Sequence, residues 1–296
     1  MKSFYQVGDW KMLVSQEREF FSENLQNQAV SLLKKWATVF PYENSWVQKE
    51  FSVPSLIVRL DCVVHQDKVF LFEVEERPAG IGLTAKLNAT FSQKLFDLQT
   101  EWPEINSLVS PRRTTSDDCL WLETVSLEEA KKSDKLLFIR AEPEETVFHA
   151  LLERSVSTLL TKGDKSYGER MGLWKEVNKN DFSHLPWERG FCLKPLKSSK
   201  CQGIEIWSPD FRKKKIGGLS TKTRIEKTLN QYGRMYLQEF ISPMVDPDEK
   251  KLAMAYRVFF GYKPSLGSYV FLGGLWNARP NLKIHGAQDT LMGPII

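Results

Sequence analysis

The sequence predicts an α+β protein of antiparallel sheets with flanking helices, plus a small α/β subdomain. Three observations carry this. Short apolar runs bounded by turn residues recur at 56–64, 69–75, 191–193, 204–207, 235–241, 252–262 and 268–272, which is the signature of strands. Tight turns, His65-Gln66-Asp67-Lys68 and Lys263-Pro264-Ser265-Leu266-Gly267, join neighbouring runs into hairpins. Between 105 and 140 the order changes to strand, strand, helix, strand, as in part of an open α/β layer.

Taken in order, residues 1–15 are mixed and carry no signal. From Gln16 to Phe40 the apolar positions Phe20, Phe21, Leu25, Val30, Leu32, Leu33 and Trp36 recur at roughly helical spacing, predicting one or two amphipathic helices ended by Pro41. The hairpin 56–75 follows, then a helix over about 84–98 stopped near Pro103. The subdomain contains Leu108-Val109, Leu120-Trp121-Leu122, a short helix at 127–132 and a strand at 136–139. A helix over 144–160 leads into a link at 161–172, and a domain boundary is placed near 142–165. Beyond the hairpin 191–207 come a helix at 219–232 and three strands. The tail 273–296 has four glycines and little periodicity, so it is expected to be loop. Its Asn277, Arg279, Lys283, His285 and Asp289 suggest a loop lining a site; His285 reads first as an ordinary surface histidine, with loop closure or proton transfer as the alternative. The expected organisation is a helical region 1–50, an acidic hairpin and helix 51–104, the subdomain 105–141 and a larger C-terminal region 142–296.

Composition excludes several classes. With 42% hydrophobic residues, nine Trp and eighteen Phe, the chain can bury a sizeable core, and it has no repeat or low-complexity tract. The net charge of +4 is too small and dispersed to demand nucleic acid. Arg212-Lys213-Lys214-Lys215 with Lys222, Arg224 and Lys227 reads as a solvated face. Cys62, Cys119, Cys192 and Cys201 have no metal-like spacing and read as reduced cytosolic thiols. A signal peptide and an apolar run near 18 residues are both lacking, so a soluble, cytoplasmic protein without a membrane partner is expected. Signatures of P-loop, dinucleotide-binding, HExxH and Gly-x-Ser-x-Gly enzymes are also missing.

Three stretches bear chemistry. In 189–207, Lys194 ends an apolar strand, Pro195 removes a backbone donor, and Ser198, Ser199 and Gly203 form a loop suited to holding phosphate. In 70–82, Glu73 and Glu75 are two apart on a strand and share one face, where they repel unless a cation lies between them. That arrangement suits Mg²⁺, and Asp61 on the partner strand supplies a third oxygen. Pro78-Ala79-Gly80-Ile81-Gly82 is a turn that lets backbone approach a ligand. In 236–243, the strand end Gln238-Glu239-Phe240-Ile241 offers main-chain groups beside apolar side chains, as a purine requires.

The order of these pieces resembles the ATP-grasp superfamily. Lys194-Pro195 with its Ser/Gly loop, a strand, a helix and the linker Gln238–Ile241 look like its nucleotide site. Tyr256-Arg257-Val258-Phe259 and 269–272 ahead of Gly273-Gly274 and Arg279 continue the likeness. The acidic strand precedes these elements here, which is similar to the circularly permuted branch containing eukaryotic glutathione synthetase and glutathionylspermidine synthetase. That branch usually shows Glu-x-Asn where this chain has Glu73-x-Glu75, and a phosphate loop richer in glycine. The resemblance covers roughly 55–90 and 150–296, and it implies an ATP- and Mg²⁺-dependent carboxylate–amine ligase working through an acyl phosphate. It implies Lys162 (with Lys165 a near competitor) and Lys194 on the α- and β-phosphates, and Glu73, Glu75 and Asp61 on metal. It further implies Arg257 or Arg279 near the γ-phosphate or acyl phosphate, with Arg59 and Arg77 orienting the substrate carboxylate. Its partners would be ATP and a small carboxylate or peptide; the oligomeric state is left open, a homodimer included. The same residues are compatible with a nucleotide binder that no longer catalyses, or with a phosphotransferase.

Overall fold

A computed structural model describes residues 2–7, 10–15, 17–40, 45–90, 105–109, 124–132, 134, 136–139, 151, 153–156, 165–197, 202–209, 215–216, 219–241, 244–245, 253–279 and 290–296. The chain divides into two compact units, Met1–Thr161 with Pro243–Ile296, and Lys162–Ser242. The first unit opens with strands β1 (Lys2–Val7) and β2 (Trp10–Ser15), a hairpin in the stretch that carried no signal. Helices α1 (Glu23–Val39) and α2 (Trp46–Phe51), strands β3 (Ile57–His65) and β4 (Lys68–Glu75), and helix α3 (Ile81–Thr90) follow. The subdomain holds β5 (Ile105–Val109), β6 (Thr124–Val125), helix α4 (Leu127–Lys132) and β7 (Leu136–Ile139). The second unit contains α5 (Ser166–Arg170), β8 (Trp174–Asn178), β9 (Phe191–Pro195), β10 (Glu205–Trp207), β11 (Lys215–Ile216), β12 (Leu219–Ser220), α6 (Thr221–Tyr232) and β13 (Arg234–Glu239). The chain then returns to the first unit with β14 (Met244–Val245), β15 (Ala253–Lys263), β16 (Ser268–Arg279) and β17 (Leu291–Ile295).

The first unit is built on an eight-stranded sheet ordered β1-β2-β17-β16-β15-β3-β4, with β14 on β15, and all of its pairings except β17 with β2 are antiparallel. The β3–β4 turn places Gln66 and Asp67 at φ +49° and +56°, as a two-residue hairpin loop requires. Helix α1 begins where the Ser22 hydroxyl accepts from the Leu25 N–H, and it buries Leu25, Ala29, Leu33 and Trp36 on one stripe. Just ahead of it, Phe21 stacks on Phe271 at 5.6 Å. On the opposite face α3 packs Leu83 and Leu87 against Leu275 and Met292. Strands β6, β5 and β7 form a separate parallel layer. The fold is therefore α+β, with mostly antiparallel sheets and a small parallel layer.

Two expectations are corrected. Most of the described part of the tail is sheet, since β16 continues to Arg279 and β17 pairs with it. Two of its glycines, Gly274 and Gly293, serve close packing inside that sheet. A Cβ on Gly274 would lie 2.5 Å from the Arg257 carbonyl oxygen, and one on Gly293 would lie 2.3 Å from the Trp276 indole. The helix expected over 144–160 is a 3₁₀ turn at its described residues 151 and 153–154, followed by a bridge from Ser155 to Leu137. Tertiary pairing with β7 wins over local propensity there.

In the second unit the sheet order is β10-β9-β13-β8, all antiparallel. Phe191, Leu193, Trp207, Met235, Leu237 and Val177 face a core closed by Ile225 and Leu229 of α6. Helix α6 is capped by the Ser220 hydroxyl, which accepts from the Thr223 N–H at 3.2 Å.

Candidate functional site

The β3–β4 register sets Asp61 opposite Glu73 and Arg59 opposite Glu75. Side chains two apart on a strand share a face, so four charged groups gather on one side of an otherwise apolar hairpin. One oxygen from each of Asp61, Glu73 and Glu75 lies within 4.8 Å of the other two. Arg59, 3% exposed, holds this group together. Its Nε and one terminal nitrogen donate to the two Asp61 oxygens at 2.6 and 2.9 Å, a bidentate pair. A terminal nitrogen also lies 2.8 Å from Glu75, and the other donates to the Ala79 carbonyl at 2.6 Å. Burial alone would lower the Arg59 pKa, but Asp61, Glu75 and Glu73 outweigh it, and the net shift is upward. Arg257 on β15 stands opposite Asp61, its Nε 3.7 Å from Oδ2. Three carboxylates thus face two guanidiniums, leaving about one net negative charge. Arg59 is turned inward onto the protein's own carboxylates, a clamp rather than an outstretched arm.

The chain beyond Glu75 is equally ordered. Glu76 is half-buried, which pushes its carboxyl pKa up, and Arg77 at 3.5 Å offsets this only in part. Gly80 adopts φ +93°, a conformation that side chains with a Cβ disfavour, and its carbonyl accepts from both the N–H (3.0 Å) and the hydroxyl (2.8 Å) of Thr84. That double contact starts α3.

On β16 the register places Leu275 opposite Arg257, Asn277 opposite Ala255 and Arg279 opposite Ala253. The three β16 residues share the face that carries Arg257. The two arginines that sequence reasoning grouped together are therefore separated: Arg257 adjoins the acidic trio, and Arg279 lies four residues further along the sheet.

In the second unit Lys194 is 5% exposed and pairs across the sheet with Tyr236. Its ammonium lies 5.0 Å from the centroid of the Trp174 ring. Trp174 is fixed in turn: its indole N–H donates to the Lys165 carbonyl at 2.9 Å, and Tyr167 packs edge-on at 5.5 Å. The Lys165 N–H donates to the Leu196 carbonyl, bringing that buried lysine beside the end of β9. Gln238 lies on the Lys194 face and is buried. Strand β13 is an interior strand, so the Gln238 backbone lies within both of its ladders and is not the open edge the purine reading asked for. The strand leaves the sheet only at Glu239, which is exposed, and the Phe240 N–H donates to the Gly190 carbonyl at 3.2 Å. Ile241 beside it is half-buried. Gly203 has φ +68°, and a Cβ there would lie 2.6 Å from the Tyr232 ring, so packing accounts for this glycine.

Lys162, Ser198, Ser199, Lys283, His285, Asp289 and Arg212-Lys213-Lys214 lie outside the described residues. Sequence reasoning missed the clamp role of Arg59 and the burial of Lys165 beside Trp174. The first had a signal in Arg59-Leu60-Asp61, opposite charges two apart on an apolar strand. The second had none, because it depends on a bond between α5 and β8 neighbours.

No protein-family model and no curated protein matches the chain. Among solved structures, it is similar to a glutathione synthetase-like effector from Globodera pallida, at 12% identity and TM-score 0.44 over 93% of this chain and 88% of that one. It is also similar to a protein assigned as a gamma-glutamylcysteine synthetase from Methylobacillus flagellatus, at 10% identity and TM-score 0.43 over 90% and 85%. A third, a D-cycloserine synthetase, matches at 11% identity and TM-score 0.31 over 64% of this chain and 90% of that one. No helix among the described residues is long and apolar enough to cross a membrane.

Proposed function

We propose that the protein is an ATP- and Mg²⁺-dependent ligase that joins a carboxylate to an amine through an acyl phosphate. The observation that carries this is the trio Asp61, Glu73 and Glu75, whose oxygens lie within 4.8 Å of one another on one sheet face. An all-oxygen donor set with net negative charge fits a hard divalent cation. Mg²⁺ held there would neutralise charge on the phosphates during transfer. Lys194, with Lys165 or Lys162, would hold the α- and β-phosphates, and the stretch Glu239–Ile241, where β13 leaves the sheet, the adenine. Arg257, which lies beside Asp61, would stabilise charge on the transferring phosphoryl group. Arg77 would orient the substrate carboxylate. In the first step a carboxylate oxygen attacks the γ-phosphorus, the bond to the β-bridging oxygen breaks, and ADP leaves. In the second an amine attacks the acyl carbon, phosphate departs, and the amine loses a proton to give the amide.

The test is to incubate the protein with ATP, Mg²⁺ and pools of amino acids and short peptides, and to analyse the products. ADP, phosphate and an amide are expected, and Glu73→Ala and Lys194→Ala abolish them without unfolding the protein. Wild-type rates in both variants would overturn the assigned roles. A second reading, nucleotide binding without turnover, is favoured by the clamp of Arg59 on Asp61 and Glu75, which already satisfies much of the trio's charge. Tight binding with no ADP across broad pools would select it, and ADP with a phosphorylated product would indicate a phosphotransferase.

A further inference from the structure

The eight-stranded sheet ends in β4 on one side and β1 on the other, and the two edges are built differently. β4 is protected on three counts. Its pairing with β3 is bulged between Asp61 and Cys62, it carries Lys68, Glu73 and Glu75, and its Val69 N–H donates to Gln28 Oε1 at 3.0 Å. Bulges, charges and covered main-chain groups keep a sheet edge from pairing with another chain. β1 shows none of these among the described residues. Its register with β2 runs unbroken from Lys2–Ser15 to Val7–Trp10, and no strand lies beyond it. Its sequence, KSFYQV, has no proline, one charge at its start, and three strand-favouring residues in Phe4, Tyr5 and Val7.

The register says which main-chain groups that edge offers. Val7 and Trp10 close the hairpin across two residues, so they form a hydrogen-bonded pair, as do Tyr5 with Met12 and Ser3 with Val14. The N–H and C=O groups of Lys2, Phe4 and Gln6 therefore point away from β2. That row is complementary to itself. A two-fold axis at Phe4 runs β1 antiparallel to β1 of a second copy and sets Phe4 against its own counterpart and Lys2 against Gln6. The pairs so formed exchange about six main-chain hydrogen bonds. No like charges meet, and the Gln6 side-chain carbonyl can accept from the Lys2 ammonium. Head-to-tail addition of β1 onto β4 would lengthen without closing, and the protected β4 edge opposes it.

We propose that the protein forms a two-fold dimer in which the β1 edges of two copies join their sheets into one. The second copy is the occupant because it presents the same row of outward groups in a register that closes at two chains and uses up both open edges. Two six-residue strands bury less surface than a permanent interface does, so the dimer is reversible, with a dissociation constant on the order of 10 μM. The proposal is independent of the ligase reading.

The test is sedimentation of the wild-type chain from about 1 to 100 μM, over which monomer gives way to a species of twice the mass. Gln6→Lys sets a lysine opposite Lys2 at both ends of the pair and weakens the dimer about tenfold. Adding Lys2→Glu to that variant restores the wild-type constant, because opposite charges then face each other. Hydrogen exchange gives a readout that needs no substitution. As concentration rises the Phe4 and Gln6 amides exchange more slowly, while those of Tyr5 and Val7, which are bonded to β2, keep their rates. A monomer throughout the range overturns the proposal. So does a dimer that Gln6→Lys leaves intact or that Lys2→Glu fails to rescue, or exchange that slows alike at both sets of amides.

Discussion

On the eight-stranded sheet the buried cation Arg59 is held by carboxylates from two strands, whereas on the four-stranded sheet Lys194 lies over the ring of Trp174. The first sheet packs α1 on one face and α3 on the other, which also carries Arg59, and the second buries one face against α6 and carries Lys194 on the other. The difference lies in what compensates the charge. A planar guanidinium with fixed donors can brace two carboxylates at once, and it organises the acidic trio in doing so. A lysine ammonium is a compact charge with three rotatable donors on a flexible stem, and its contact with an aromatic ring is less directional than a guanidinium's fork. The clamp is an interaction the fold depends on.

That contrast is breakable by substitution. Arg59→Met strands two half-buried carboxylates and is expected to cost about 3 kcal/mol in denaturant unfolding, the scale for removing one partner of a buried pair. A loss below about 1 kcal/mol would show that the trio does not need its clamp. Gly168→Ala tests the other sheet, because a Cβ there would lie 1.7 Å from the Trp174 ring. Displacing Trp174 is expected to cost about 2 kcal/mol and to weaken nucleotide binding through Lys194; unchanged melting and affinity would detach the ring from the lysine. Lys194→Met is expected to shift stability by about 1 kcal/mol or less while abolishing nucleotide binding, and a cost as large as that of Arg59→Met would erase the distinction.

The smallest expected effect concerns pH. Burial raises the Tyr256 pKa, and the nearby Glu19 carboxylate, which accepts from its hydroxyl at 3.2 Å, adds to the shift. An acid whose folded pKa exceeds its unfolded value keeps its full stability below the unfolded value, about 10 for tyrosine. Above that pH the unfolded chain ionises first, and stability falls. Melting curves between pH 8 and 11 should decline less steeply in Tyr256→Phe, and identical slopes would refute the assignment.

Most strands were readable because hydrophobic alternation and turn residues act locally. The hairpin 56–75 is an instance, where the period of two that makes the sheet face apolar also sets Glu73 and Glu75 side by side. The tail was misread for a physical reason. Glycine lowers strand propensity, yet Gly274 and Gly293 are required by a carbonyl and an indole contributed from elsewhere in the sheet. Arg279 and Asn277 were noticed as polar residues near the chain end, but a loop was expected to carry them. Their separation from Arg257 follows from the β15–β16 register, which is invisible in either strand alone.

By itself the sequence determined the strand periodicity, the pairing of Glu73 and Glu75 on one face, and the chemical types at Asp61 and Lys194, because those depend on residues a few positions apart. Only the tertiary structure decided that Arg59 faces inward, that Arg257 and not Arg279 adjoins the acids, and that Asn277 lies buried on the face between those two arginines. Each of these depends on which residue stands across a ladder from which, and pairing between strands up to two hundred positions apart is fixed by the packing of the whole sheet.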